Sequence, residues 1–264
     1  MAVSLGEACV NVLRCNDPQE KVMAARKVAR DWRLGRLDHR FGVAVPDRPG
    51  RPERPELLPP NRMPNRRKGG SERARVAMIH ALAHIEFVAI DLAFDLVARF
   101  GAEFPVAFAD EWLRVGADEA MHFALLGRRL RELGSHYGAL PAHDGLWEAA
   151  IETAHDAAAR LAIVPMVLEA RALDITPETI VRFTRFGDER TARMLQRIVD
   201  DEIRHVAAGT KWFLWSMNRS GANPQESYQE LVRRHFRGAV KPPFNDSARG
   251  QAGLTRDFYG PLAG

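Results

Sequence analysis

Two short stretches, Asp118-Glu119-Ala120-Met121-His122 and Asp201-Glu202-Ile203-Arg204-His205, decide how this 264-residue chain reads. Each follows a glutamate set in an apolar run. Glu86 stands 33 residues before Glu119 and Glu169 stands 33 before Glu202, so one set maps onto the other by adding 83. A helix advances about 100° per residue, which puts Glu119 and His122 on one face, one turn apart, where both can hold the same ion. Glu202 and His205 repeat the arrangement. The face around Glu119 also carries Trp112, Val115, Phe123 and Leu126, and that around Glu202 carries Leu195, Ile198, Val199 and Val206. Glu86 shares its stripe with Ile79, Ala83, Ile90 and Val97, and Glu169 with Ala162, Met166 and Leu173. Six ionisable groups therefore point toward a core, and such groups persist there only when paired or bound to metal.

A single Glu-x-x-His reads as a surface pair worth roughly a few tenths of a kcal/mol. Two of them on apolar faces, each with an upstream glutamate at matched spacing, read as a dinuclear metal site. The expected ligands are Glu86, Glu119, His122, Glu169, Glu202 and His205. Four carboxylates and two imidazoles suit first-row divalent ions, two irons or manganese or a mixed pair, better than structural zinc. Cys9 and Cys15, the two cysteines, offer no thiolate site and no reason for a disulfide.

One glutamate from each of two helices and Glu-x-x-His from each of two others is the pattern of the ferritin-like di-iron carboxylate proteins. The chain resembles that superfamily over about residues 71 to 219. The phrases His84-Ile85-Glu86-Phe87-Val88-Ala89-Ile90-Asp91-Leu92 and Leu140-Pro141-Ala142-His143-Asp144-Gly145-Leu146-Trp147 resemble, more closely, an uncharacterised ferritin-like family neighbouring the tRNA hydroxylases. The resemblance implies an all-α fold, a ferritin-like four-helix bundle with extra N-terminal and C-terminal helices and a Pro/Arg-rich arm. It also implies that Asp118 and Asp201, one residue before each glutamate, fix the histidine tautomers across the bundle, Asp118 with His205 and Asp201 with His122.

Composition divides the chain into residues 1–70, 71–219 and 220–264, expected to pack as a single domain. Ser4 with Glu7, and Asp17 with Pro18 and Glu20, start helices over 4–14 and 17–33. From about 35 to 70 prolines forbid a continuous helix. Between Arg48 and Arg75 nine Lys or Arg face three Glu, although the whole chain carries only +4. That basic arm either draws in a polyanion by counterion release or wraps the bundle, and it lacks aromatic residues for base stacking. Bundle helices are expected from Ser71 to Phe100, from Pro105 to Leu133, from about Asp144 to Leu173 with an interruption at Pro165, and from Asp188 to about Asn218. Thr176-Pro177 is expected to start a short helix, and Asn223-Pro224 another. Pro165, one turn before Glu169, invites a kink or a widened turn there. His84 is expected to face away from the metals, and Asp91, Arg171 and Asp174 to join ion pairs.

No run is read as a membrane span or a secretory signal, so the expectation is a cytoplasmic protein with no membrane partner. The leading functional expectation is a di-iron oxidoreductase that activates dioxygen, a candidate hydroxylase, with Glu119 and Glu202 as catalytic residues and the ions bridged by these two or by another subset of the four carboxylates. Electrons would come from an external donor, since no nicotinamide or flavin fingerprint is present. RNA is one candidate substrate. Ferroxidase iron handling and a binding module with structural metals are the alternatives.

Overall fold

The computed structural model describes residues 3–63 and 71–264. Within them the regular secondary structure is helical apart from a two-residue parallel pairing of Val3–Ser4 with Leu37–Asp38 and the isolated bridges Leu57 with Ala142 and Val240 with Ala263. Backbone contacts group the chain into two compact units, Met1–Trp147 and Glu148–Gly264. The composition changes at 70 and 219 fall inside these units.

The first unit contains α1 (Leu5–Arg14), α2 (Pro18–Arg33), α3 (Glu72–Phe100) and α4 (Val106–Glu132). Their starts follow the capping chemistry in the sequence. Ser4 and Glu7 form a reciprocal capping box, Asp17 accepts from the amides of Gln19 and Glu20, and Ser71 accepts from that of Ala74. A short turn through Gly101–Glu103 folds α4 back along α3. Gly116 permits their approach, because a Cβ there would stand 2.6 Å from the Phe94 ring.

By length and composition alone α3 is apolar enough to cross a membrane, contrary to the reading of the sequence, and 72% of its most apolar window is buried inside the protein. A core helix gives the same signal, and this one carries charges with built partners. Asp91 accepts from Lys21 Nζ and from Arg51 Nη1, each at 2.5 Å, while Asp95 accepts from Arg99 at 2.9 Å. Burial pushes Asp91 up and Lys21 down, and the attraction between them opposes both shifts. The described part of the basic arm is held against this unit. Arg48 pairs with Asp144 at 2.8 Å, and the amide of Leu58 donates to the Ala142 carbonyl at 2.8 Å. Arg66, Arg67 and Lys68 lie outside the described residues.

α5 (Gly145–Glu152) leads into the second unit, which holds α6 (Ala157–Ile163), a π-helical turn (Val164–Glu169), α7 (Ala170–Arg185) and α8 (Glu189–Ser220). α9 (Pro224–His235), α10 (Asp246–Gln251) and α11 (Arg256–Tyr259) follow. The sequence suggested one helix from Asp144 to Leu173, and two features correct it. The chain breaks after α5 and restarts where Asp156 caps α6 by accepting from Ala158 and Ala159. Buried Arg160 ties the break together, donating to Thr153 Oγ1 at 2.9 Å and to the Ala150 carbonyl at 2.5 Å. Further on, Thr176-Pro177 starts no new helix, because α7 runs through Pro177 to Arg185. The proline has no N–H for the carbonyl of Leu173, and Asn245 Nδ2 donates to that oxygen instead at 3.2 Å. Asp174, beside it, gathers Arg249 Nε at 2.8 Å and Nη2 at 2.6 Å, the Asn245 amide at 2.9 Å and Arg171 at 3.3 Å. The C-terminal tail is thereby anchored on α7.

Candidate metal centre

In the first unit, α3 brings Glu86 against Glu119 and His122 of α4. Ligating atoms of the three residues all lie within 4.8 Å of one another. His122 Nδ1 stands 3.2 Å from Glu86 Oε2 and 3.4 Å from Glu119 Oε2. All three are buried, with His122 fully so. Burial raises the Glu86 carboxyl well above its usual range, the charge of Glu119 adds to the rise, and His122 only partly offsets it. Burial works to lower the His122 imidazole, but its bonds to Glu119 and Glu86 outweigh that and push it up to about 11. Two buried carboxyls crowded together favour a cation beside them. The donor set fits a divalent metal ion, which takes carboxylate oxygen and imidazole nitrogen.

The second unit presents the corresponding residues. On α8, Glu202 and His205 are buried, and His205 Nδ1 lies 3.4 Å from a Glu202 carboxylate oxygen, matching the spacing in the first set. Glu169, half-buried, ends the π-helical turn that Pro165 imposes. The amide of Ala170 reaches back five residues to the Pro165 carbonyl, and Tyr228 Oη donates to the Met166 carbonyl at 3.3 Å. The widened turn expected at Pro165 is therefore present. Such turns insert one residue into a helix and are frequent at functional sites. Gly209 of α8 accommodates the proline ring. Pro165 to Glu169 and Gly209 to His205 are equal steps along antiparallel helices, so Glu169 is set level with His205.

Asp201 is buried and accepts from Arg204, its neighbour one turn on, while Asp118 is half-buried on α4. His84 faces away from Glu119 and His122, as its angle on α3 dictates. Its Nε2 lies 3.2 Å from the His143 carbonyl and its Nδ1 2.9 Å from Tyr137 Oη, so the imidazole donates to the carbonyl and accepts from the phenol. Burial, with Arg51 nearby, lowers it to about 3 and keeps it neutral. His155 is exposed and pairs its ring with His235 at 5.6 Å. Sequence reasoning missed Tyr228 and Gly209, which support the π-helical turn from 40 or more residues away and carry no local motif.

An uncharacterised protein of Haemophilus influenzae (strain Rd) is 39% identical to this chain over 211 residues, covering 78% of this chain and 73% of that protein. No solved structure matches the chain. The profile of a family described as "Protein of unknown function (DUF455)" matches residues 14–260. The buried Glu/His set is thus a feature of a chain that belongs to the DUF455 family.

Proposed function

We propose that Glu86, Glu119 and His122 combine with Glu169, Glu202 and His205 to hold two metal ions, iron in the first instance, inside a ferritin-like four-helix bundle. The observation that carries the reading is the repeat of geometry. Two buried Glu-x-x-His pairs, separated by 83 residues, each hold imidazole Nδ1 3.4 Å from the carboxylate. A chance pair on a surface helix has no reason to be buried twice at matched spacing. When bound, a di-iron pair supplies dioxygen activation, and the protein is then an oxidoreductase, a candidate hydroxylase.

The chain's own residues set the conditions for that chemistry. Glu86, Glu119, Glu169 and Glu202 would hold the metals through carboxylate oxygens, with Glu119 and Glu202 as the catalytic carboxylates. His122 and His205 would supply imidazole nitrogen, and Asp201 and Asp118 would fix their tautomers. Trp112 and Phe123 on the Glu119 face of α4 and Phe213 on the Glu202 face of α8 are buried with them. Reducing equivalents come from an external donor, and the expected setting is the cytoplasm.

Anaerobic loading with ferrous iron, metal analysis and an optical spectrum before and after admission of air test the proposal. About two irons per chain and an oxygen-dependent absorption change are expected. Two metals without oxygen consumption would support a structural role, and iron oxidation without an organic product would support ferroxidase activity. Absence of metal binding would overturn the reading.

A further inference from the structure

A groove with a cavity volume of about 1170 Å³ lies between α2 and α4 of the first unit. We propose that it binds single-stranded nucleic acid. The argument begins with charge. Arg26, Lys27, Arg30 and Arg33 of α2 line it together with Arg114 of α4, against the carboxylates of Asp110 and Asp118. Residues 26, 30 and 33 are spaced four and three apart, so they form one stripe along the helix. Lys27 and Arg30 have neighbouring Asp31 as a partner, whereas Arg26, Arg33 and Arg114 make no ion pair among the described residues. All five cations are exposed.

The groove also has what the arm lacks. Trp32 lines it, and its Nε1 donates to Asp110 at 2.7 Å, which fixes the indole and takes one of the two acids. The His39 ring stands 5.9 Å from that of Trp32. Met23 and Val106, 66% and 48% exposed, add apolar lining. A cationic groove that tracks phosphates, with an aromatic platform for bases, is the construction that binds single strands without sequence readout. The arm's Arg48 and Arg51 are occupied by Asp144 and Asp91, so its described part offers less charge to a ligand than its composition suggests. A flat anionic membrane does not meet a cleft between two helices. Asp118, at one wall, adjoins Glu119. Only a role for the bound strand as substrate rests on the metal reading, and binding itself does not.

The test is fluorescence anisotropy of a labelled oligouridine of about 15 nucleotides with the full-length protein, treated with chelator so that a failed metal reading leaves the result intact. Arg26→Glu/Arg33→Glu is expected to weaken binding about tenfold or more with helix content unchanged, and Trp32→Ala about fivefold. The logarithm of affinity should fall with the logarithm of salt with a slope near about −2, as for three phosphates on a single strand. Unchanged affinity in the double variant would overturn the proposal. So would competition by polyphosphate as effective as that by unlabelled oligouridine, which would mark a general polyanion surface.

Discussion

Gly209 on α8 lies so close to Pro165 that a Cβ built on it would stand 2.4 Å from the proline Cβ. That contact seats the π-helical turn on α8, and the turn sets the direction of Glu169. A proline that breaks the hydrogen-bond ladder, a glycine that admits its ring and a tyrosine that satisfies the Met166 carbonyl work as one device.

Gly209→Ala tests the contact. Alanine raises helix propensity by about 1 kcal/mol, but the overlap with Pro165 is against ring carbons that cannot rotate away, and overpacking of this kind costs about 1–3 kcal/mol. A net loss of thermal stability of several degrees is expected in scanning calorimetry. A variant as stable as the parent would show that the two helices separate freely.

Pro165→Ala restores the missing amide and removes the steric reason for the widened turn. Without the inserted residue, Glu169 rotates by about 100° relative to the residues before it. Metal content should fall while the melting temperature stays level or rises, measured by elemental analysis and calorimetry on the same preparation. Loss of both together would mean that the turn matters only for stability.

The three tyrosines, Tyr137, Tyr228 and Tyr259, all have their phenols raised, in each case first by burial. Tyr259, which donates to Asp246 at 2.5 Å, is pushed up to about 12, and the other two go higher. Folding holds these protons more tightly than the unfolded chain, so the stabilisation is complete below about pH 10 and is lost as pH rises beyond it. In an alkaline titration, tyrosinate absorbance should stay absent to about pH 10.5 and then appear together with loss of helix. One phenolate ionising near pH 10 in a fully helical protein would contradict the burial argument.

Metal removal and Glu86→Gln should have opposite effects on the two forms of the protein. Binding stabilises by about 4 kcal/mol at a thousandfold excess over Kd, so chelation should lower the melting temperature. The variant relieves the crowding of Glu86 with Glu119, so its metal-free form should be at least as stable as the parent, with the metal-dependent gain lost. Equal metal-dependent stabilisation of both proteins would remove Glu86 from the ligand set.

The six-residue pattern and most helix starts were legible in the sequence, because both rest on local geometry. A glutamate and a histidine three apart share a helix face whatever surrounds them, and Ser71, Asp188 and Asn223 each cap by bonding an amide three residues on. The tertiary structure decided what depends on distant partners. Pro177 marked a helix start by local rules, yet Asn245 supplies the donor that lets α7 continue through it. The arm carried the basic charge by composition, yet Arg51 is drawn to buried Asp91 on α3, while Arg26 and Arg33 on α2 beside Trp32 have no ion pair among the described residues. Spacing in the chain fixed which glutamates and histidines share a helix face. Which hydrogen-bonding and charged groups remain available to a ligand was settled by residues brought together from far along it.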